Sequence, residues 1–430
     1  MEIIDDNFSS GKVNLPDKWV IKSLDKIGQV IDGDRGKNYP SNDDFYSGGY
    51  CLFLNAKNVK KDGFNFDECT FVSRNKDNQL GKGKLTKLDI VLTTRGTVGN
   101  FAFYDKKVPF NNIRINSGMV IFRKESDEIT YEYLYKFLQS YIIENQIRKV
   151  VFGSAQPQLT VQIINKISIS YPVDMREQYT IAETLSDVDA LIASLNALIG
   201  KKHAIKQGVM QELLTGKRRL PRFSGKWINK KIPEICWFQE GPGVRTNQFK
   251  NSGIKLLNGS NIQNGKINLD NTNRFISEIE AYGPYAHFMA DEGDIVIASS
   301  GITIDKFEEK VAFIGREHLP LCMNTSTIRF KTKLTLLHPY FLYYLLMSTS
   351  FKEQIGAQAT GSAQLNFGPA HLIKVDFSFP NMEEQIAIIE ILMDVDQEIN
   401  TLEQKLAKTK VLKQGMMQEL LTGRIRLQGG

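Results

Sequence analysis

One segment of this chain occurs twice. Lys206-Gln207-Gly208-Val209-Met210-Gln211-Glu212-Leu213-Leu214-Thr215-Gly216 returns as Lys413-Gln414-Gly415-Met416-Met417-Gln418-Glu419-Leu420-Leu421-Thr422-Gly423, with one difference. Chance does not supply a match of that length, so the chain is a duplicated unit. The offset of 207 holds without a gap upstream to Glu177 and Glu384, and it carries Asp187-Val188-Asp189 onto Asp394-Val395-Asp396. Fainter echoes continue in the same order. Gly153-Ser154-Ala155-Gln156 returns as Gly361-Ser362-Ala363-Gln364, Asp89-Ile90-Val91 as Asp294-Ile295-Val296, and Lys18-Trp19 as Lys226-Trp227. At 430 residues the chain exceeds one ordinary core, which suits two domains with two connectors. The expected boundaries are a first domain at 1–176, a connector at 177–216, a second domain at 217–382 and a second connector at 383–430.

The connectors read as long helices. Apolar residues fall at Ile181, Leu185, Val188, Ile192, Leu195 and Ile199, and in the same phase at Ile388, Leu392, Val395, Ile399, Leu402 and Leu406. Alternating steps of four and three make a heptad seam, which favours helix–helix pairing over a helix lying only on its own domain. Both seams then slip and are expected to resume at Ile205 and Val209, and at Leu412 and Met416. Gly216 and Gly423 stand where helix stops belong. If the seams pack on each other, the second helix returns toward the first domain and the pair is antiparallel. The domains themselves read as α+β, with strands at 89–93, 119–122, 294–298 and 375–379 and one late helix in each, at 131–148 and 339–355. The fold class expected is thus two similar α+β domains separated by two long helices in an antiparallel coiled coil, related by a pseudo-two-fold repeat.

Chemistry-bearing motifs are missing. There is no Gly-rich phosphate loop and no Asn-Pro-Pro-Tyr-like run. Glu308-Glu309-Lys310 downstream of Asp294 is the one nuclease-like element, and the other half has only Asp105 beside Lys106-Lys107. The five histidines and four cysteines lie apart, without metal-ligand or disulfide spacing. No catalytic residue and no metal site are nominated. A start without a signal-like apolar core, and no apolar run of membrane-spanning length, point to a cytoplasmic protein without a membrane partner. The net charge of +6 is modest but uneven: 201–231 holds ten Lys or Arg against one acid, Glu212. That permits a polyanionic partner without requiring one.

Polar, glycine-containing loops recur at matched places. Lys57-Asn58 and Ser260-Asn261 follow matched strand-like runs. Thr94, Arg95, Gly96 and Thr97 follow one strand; Ser299, Ser300 and Thr303 follow its counterpart. Ser154, Gln156 and Gln158 in one half answer to Ser362, Gln364 and Asn366 in the other. Amides and arginine can read base edges, hydroxyls and backbone N–H groups hold phosphates, and glycine allows close approach. These residues are the expected contacts to double-stranded DNA. Two other classes stay open: a scaffold whose domains bind proteins, and a metal-dependent nuclease resting on Glu308 and Lys310.

With these features together, the sequence resembles the specificity subunit of Type I restriction–modification enzymes. The resemblance rests on the two-domain, two-helix repeat, the Gln-Glu-Leu-Leu-Thr-Gly ends at 211–216 and 418–423, the Gly-Ser-x-Gln loops at 153–156 and 361–364, the Thr-Arg-Gly-Thr-Val-Gly run at 94–99 and the Leu15-Pro16-x-x-Trp19 opening. It spans essentially the whole chain. The second half departs at Ser300-Gly301-Ile302-Thr303, which lacks the arginine, and at Phe223-Ser224-Gly225-Lys226-Trp227. The resemblance implies two target recognition domains reading a split DNA sequence. It also implies helices that bind two methyltransferase subunits, with restriction subunits in the full complex. S-adenosylmethionine would then sit on the methyltransferase, and this chain would need no cofactor.

Overall fold

The computed structural model describes residues 15–151, 158–270, 272–303, 306–358 and 364–427. The chain divides into two compact units: 1–196 with 404–430, and 197–403. Each long helix therefore contributes to both units.

In unit 1 a four-stranded antiparallel sheet runs in the order Gly28–Asp32, Met119–Lys124, Ile90–Thr93, Phe101–Phe103. A three-stranded sheet has Cys51–Leu54 at its centre, antiparallel to Phe71–Val72 and parallel to Ile113–Ile115. Trp19–Ser23 pairs with Ser168–Pro172. Unit 2 repeats each sheet: Cys236–Glu240, Thr327–Thr332, Ile295–Ala298 and Val311–Phe313 in one, Phe275–Ile276, Ile254–Leu257 and Leu321–Met323 in another, and Ile228–Lys231 with Asp376–Phe379. Central strands such as Ile90–Thr93 and Ile295–Ala298 are buried at every position, which is why they read as continuous apolar runs rather than alternating ones.

The late helix of each domain is broken in two, where the sequence suggested one. The pieces are Tyr131–Leu138 and Tyr141–Val151, then Pro339–Met347 and Thr349–Gly356. In unit 2 the reason is Ser348. Its backbone is extended, its hydroxyl accepts from Phe351 N–H, and it donates to the Leu345 carbonyl at 2.6 Å. A serine that caps the next helix competes with continuation of the last.

The long helices span Met175–Leu213 and Met382–Leu420, each 39 residues. Ile181, Leu185, Ile388 and Leu392 are fully buried in the domain cores, and Leu195 and Ile399 are nearly so. Val188, Ile192, Ile199, Val395, Leu402 and Leu406 are half-buried. Within unit 1, Asp189 meets Lys413 at 2.5 Å; within unit 2, Lys206 meets Asp396 at 2.6 Å and Lys202 meets Glu398. In unit 2 the partner number falls as the residue number rises, so the segments there run antiparallel. Past the slip, Val209 and Met416 pack on the cores. Ile205 and Leu412 do not: they are exposed. Lys206 and Lys413 turn inward to reach Asp396 and Asp189, and one residue along a helix is a ~100° rotation, so the apolar neighbour is turned out.

The repeated helix ends are packing devices. Leu213, Leu214, Leu420 and Leu421 are buried. Gly216 and Gly423 take φ of 70° and 72°, the left-handed stop that glycine accepts without strain. A β-carbon on Gly423 would stand 2.6 Å from Pro16 and 3.0 Å from Trp19, and one on Gly216 would stand 3.4 Å from Trp227. Each helix end thus closes against the opening tryptophan of a unit. Arg426 then grips Glu177, as Arg219 grips Glu384 through two bonds of 2.6 Å.

Candidate nucleic-acid interface

In both units four loop segments converge at one end of the four-stranded sheet, and the same backbone bonds hold them. Thr94 N–H donates to the Gly118 carbonyl at 2.8 Å, and the Thr94 carbonyl accepts from Leu159 N–H at 3.1 Å. Ser299 does the same, to the Ser326 carbonyl at 2.9 Å and from Phe367 N–H at 2.9 Å. Gly96 and Gly301 follow with φ of 73° and 69°. At both, a β-carbon would meet nothing within 4 Å, so the backbone there is open to a ligand.

On this common frame the exposed side chains differ. In unit 1 Arg95 projects, and the Gln158 amide, with its oxygen facing the guanidinium, accepts from Arg95 Nη2 at 2.9 Å and Nε at 3.2 Å. In unit 2 the matched pair is Ser300 and Asn366. Ser300 Oγ donates to Asn366 Oδ1 at 3.0 Å, and Gly301 N–H donates to the same oxygen at 2.8 Å. Beside them lies a groove of ≈ 420 Å³ lined by Glu240, Ser299, Ser300, Thr325, Ser326, Asn366, Phe367, Gly368 and His371.

Of the expected contacts, Arg95, Gly96, Thr97, Gln158, Ser300, Thr303, Gln364 and Asn366 are exposed. Ser154, Gln156 and Ser362 lie outside the described residues. Thr94 and Ser299 are buried, which corrects the expectation that their side chains face a ligand. Asn58 is corrected too. It is fully buried, its oxygen accepts from Asn55 N–H at 2.9 Å, and its nitrogen donates to the Asn65 and Glu68 carbonyls at 3.0 and 2.8 Å. Asn261 repeats the device with Asn258, Asn268 and Thr272. Each amide spends both of its N–H groups inside the turn it shapes and has no donor left to read a base. Lys57 and Ser260 are exposed on those turns, Lys57 paired with Glu68 at 2.8 Å.

The nuclease-like residues do not assemble. Asp294 is buried against Arg329 at 3.1 Å, and Lys310 Nζ donates to the Ile262 carbonyl at 2.8 Å. Among the described residues no three His, Cys, Asp or Glu side chains form a metal-holding group. Burial pushes the thiols of Cys51, Cys236 and Cys322 up to about 12, so they stay protonated and poorly nucleophilic. Among the described residues no helix is long and apolar enough to cross a membrane.

Sequence reasoning missed two things. Asp32 and Glu240 occupy one position of the frame, signalled by Asp32-Gly33 and Glu240-Gly241 at the same spacing as Trp19 and Trp227. Gln178 and Gln385, both fully buried, pin the helix starts. Gln178 accepts from Thr130 N–H at 2.7 Å and donates to the Glu128 and Pro172 carbonyls at 2.8 Å; Gln385 does likewise with His338, Leu336 and Pro380, each at 2.9 Å.

The sequence pattern of the family described as "Type I restriction modification DNA specificity domain" matches residues 16–206 and again 224–411. The chain belongs to this family. Its members are specificity subunits, which are non-catalytic. The chain is 26% identical to the Type I restriction enzyme MjaVIII specificity subunit of Methanocaldococcus jannaschii, over 97% of this chain and 95% of that one. It is 22% identical to the putative MjaX specificity subunit of the same organism, over 99% and 98%. Among solved structures it is similar to the S subunit of a Type I system from M. genitalium, with a TM-score of 0.54 and 14% identity over 95% of this chain and 96% of that one. A chain from a study of complex assembly and conformational transition in the type I R-M system gives 0.59 and 14% over 96% and 100%. At such identities the structures speak for the fold alone.

Proposed function

We propose that this specificity subunit reads a bipartite duplex DNA target, one half-site per domain, and docks two methyltransferase subunits on its helices, with restriction subunits joining the full complex. The domains would be 1–176 and 217–382, and the docking helices 177–216 and 383–430. The observation that carries the reading is the matched pair of sites. One backbone frame presents Arg95 with Gln158 in one unit and Ser300 with Asn366 in the other. A repeated frame with exchanged side chains suits one recognition task performed on two different sequences. Arginine pairs with guanine N7 and O6, whereas a short hydroxyl and an amide suit other edges. Lys57, Ser260, Thr97, Thr303 and Gln364 flank the frames as exposed contacts to bases or phosphates. The subunit contributes binding and register, and S-adenosylmethionine and methyl transfer reside on the partner.

Methylation mapping on DNA with the methyltransferase supplied tests this. The expected result is adenine or cytosine methylation at two short, different sequences separated by a fixed run of unread bases. Methylation at one continuous site, or sequence-specific methylation by this chain alone with S-adenosylmethionine, would overturn it. Binding to duplex oligonucleotides that does not weaken with salt would instead favour a protein-binding scaffold.

A further inference from the structure

The two frames differ in one charge. In unit 1 the Asp32 carboxylate is occupied: Arg35 Nη2 lies 3.0 Å from Oδ1, and Gly33 N–H donates to the same oxygen at 2.9 Å. Unit 2 has Glu240 in the same register, since Asp32 sits opposite Val120 and Glu240 opposite Ile328, matched positions of matched strands. Three residues on, where unit 1 has Arg35, unit 2 has Gly243. Among the described residues the Glu240 carboxylate has no hydrogen-bond or ion-pair partner. It is half-buried in the wall of the ≈ 420 Å³ groove beside Ser300, Asn366 and His371. Its Oε2 lies 3.6 Å from where a β-carbon on Gly368 would stand. Burial pushes its carboxyl above the usual range.

A carboxylate partly withdrawn from water, with no cation beside it, is an acceptor in want of an N–H donor. It repels phosphate. Among major-groove edges guanine offers two acceptors, thymine a carbonyl and a methyl, and adenine an amino group beside an acceptor nitrogen; cytosine offers its N4 amino group alone. We propose that Glu240 is a specificity-determining residue of unit 2 that accepts a hydrogen bond from the N4 amino group of a cytosine in its half-site. The proposal rests on the DNA-reading function argued above.

The test uses the full chain assembled with its methyltransferase subunits, selecting bound duplexes from a randomised pool and sequencing them. The wild-type complex should require one C·G pair within the half-site that Asn366→Ala alters. Glu240→Gln keeps the shape of the groove and should relax that position alone, toward adenine, with discrimination falling about ten-fold or more. Gly243→Arg provides a second variant. A β-carbon there would meet only Thr325 Cγ2, at an ordinary 3.7 Å, and the new guanidinium would recreate the Asp32–Arg35 pair. It should lose the same preference while the carboxylate remains. If both variants assemble and keep the wild-type cytosine preference, Glu240 does not read the base, while an altered half-site in Asn366→Ala leaves the two-domain reading standing. If Asn366→Ala and Glu240→Gln both leave the selected sequences unchanged, the proposal and that reading fall together.

Discussion

Replacing Asp189 by asparagine should loosen unit 1 more than the matched Asp396→Asn loosens unit 2. Asp189 accepts from Lys136 at 2.6 Å and lies 2.5 Å from Lys413, whose side chains are 10% and 23% exposed. Asp396 meets Lys206 at 2.6 Å, but its second partner is the Tyr344 hydroxyl at 2.8 Å. Breaking a buried pair by removing one charge costs ~3–5 kcal/mol, because the other stays buried and uncompensated. Asp189 is 32% exposed, so water offsets part of this and ~2–3 kcal/mol is the expected loss. Asp396→Asn strands one lysine, Lys206, where Asp189→Asn strands two, and Tyr344 can still donate to an amide oxygen, so ~1–2 kcal/mol is the expected loss there. Hydrogen exchange on the full chain reads both, from peptides within 175–196 and 404–420 against 197–213 and 382–403. Burial raises the Asp189 carboxyl, but Lys136 and Lys413 outweigh it and hold the group below the ordinary 3.8. A depressed folded pKa gives stability that is full above the unfolded value and is lost as pH falls through the folded one. The gap between wild type and Asp189→Asn should therefore be constant above about pH 5 and shrink below it. Equal losses in the two variants, or a gap that does not close in acid, would refute the reasoning.

Arg95→Ala and Gln158→Ala should alter one half of the selected DNA sequence, and Ser300→Ala and Asn366→Ala the other, each by ~1–3 kcal/mol at the affected base; overlap between the two sets would count against one domain per half-site. Gln385→Ala strands three backbone groups, of His338, Leu336 and Pro380, and should cost unit 2 ~2–4 kcal/mol, seen as lost exchange protection at 336–338, with protection of unit 1 unchanged. Seven residues added to both helices, after Asn196 and after Glu403, fall at the unit boundaries and add ~10 Å while keeping the seam nearly in phase. If the helices space the half-sites, the unread run should lengthen by about three base pairs; a complex that assembles and keeps its original spacing would show that they do not.

The repeat was legible because long helices advertise themselves twice, by seam periodicity and by direct recurrence. The domain strands were legible where burial on both faces left apolar runs, as at Ile90–Thr93 and Ile295–Ala298. The break at Ser348 was not. A serine between two apolar helical stretches reads the same whether it faces solvent or caps the next turn, and the cap depends on the Leu345 carbonyl lying within reach. The site was half legible for a similar reason. Glycine-rich polar loops marked where the backbone turns, but Asn58 and Arg95 look equally available in sequence. Asn58 is closed off by the Asn65 and Glu68 carbonyls, partners supplied by a turn whose course no local pattern reveals. Glu240 carried no motif at all; its interest comes from what is missing three residues later.

The bonds that fix the frame explain how two loop surfaces can diverge on one scaffold. Thr94 and Ser299 hold their loops through backbone N–H and carbonyl groups, and Gly96 and Gly301 turn the chain with a left-handed φ. Nothing in that set depends on whether the next side chain is Arg95 or Ser300. By contrast, the contacts closing each helix on its unit run through side chains: Glu177 with Arg426, Glu384 with Arg219, Asp189 with Lys413 and Asp396 with Lys206. Changing any one of these strands a charge, so the same residues stand at both copies. The near-identity of the helices and the divergence of the loops follow from one distinction. Where side chains carry the fold they are held, and where the backbone carries it they are free to differ.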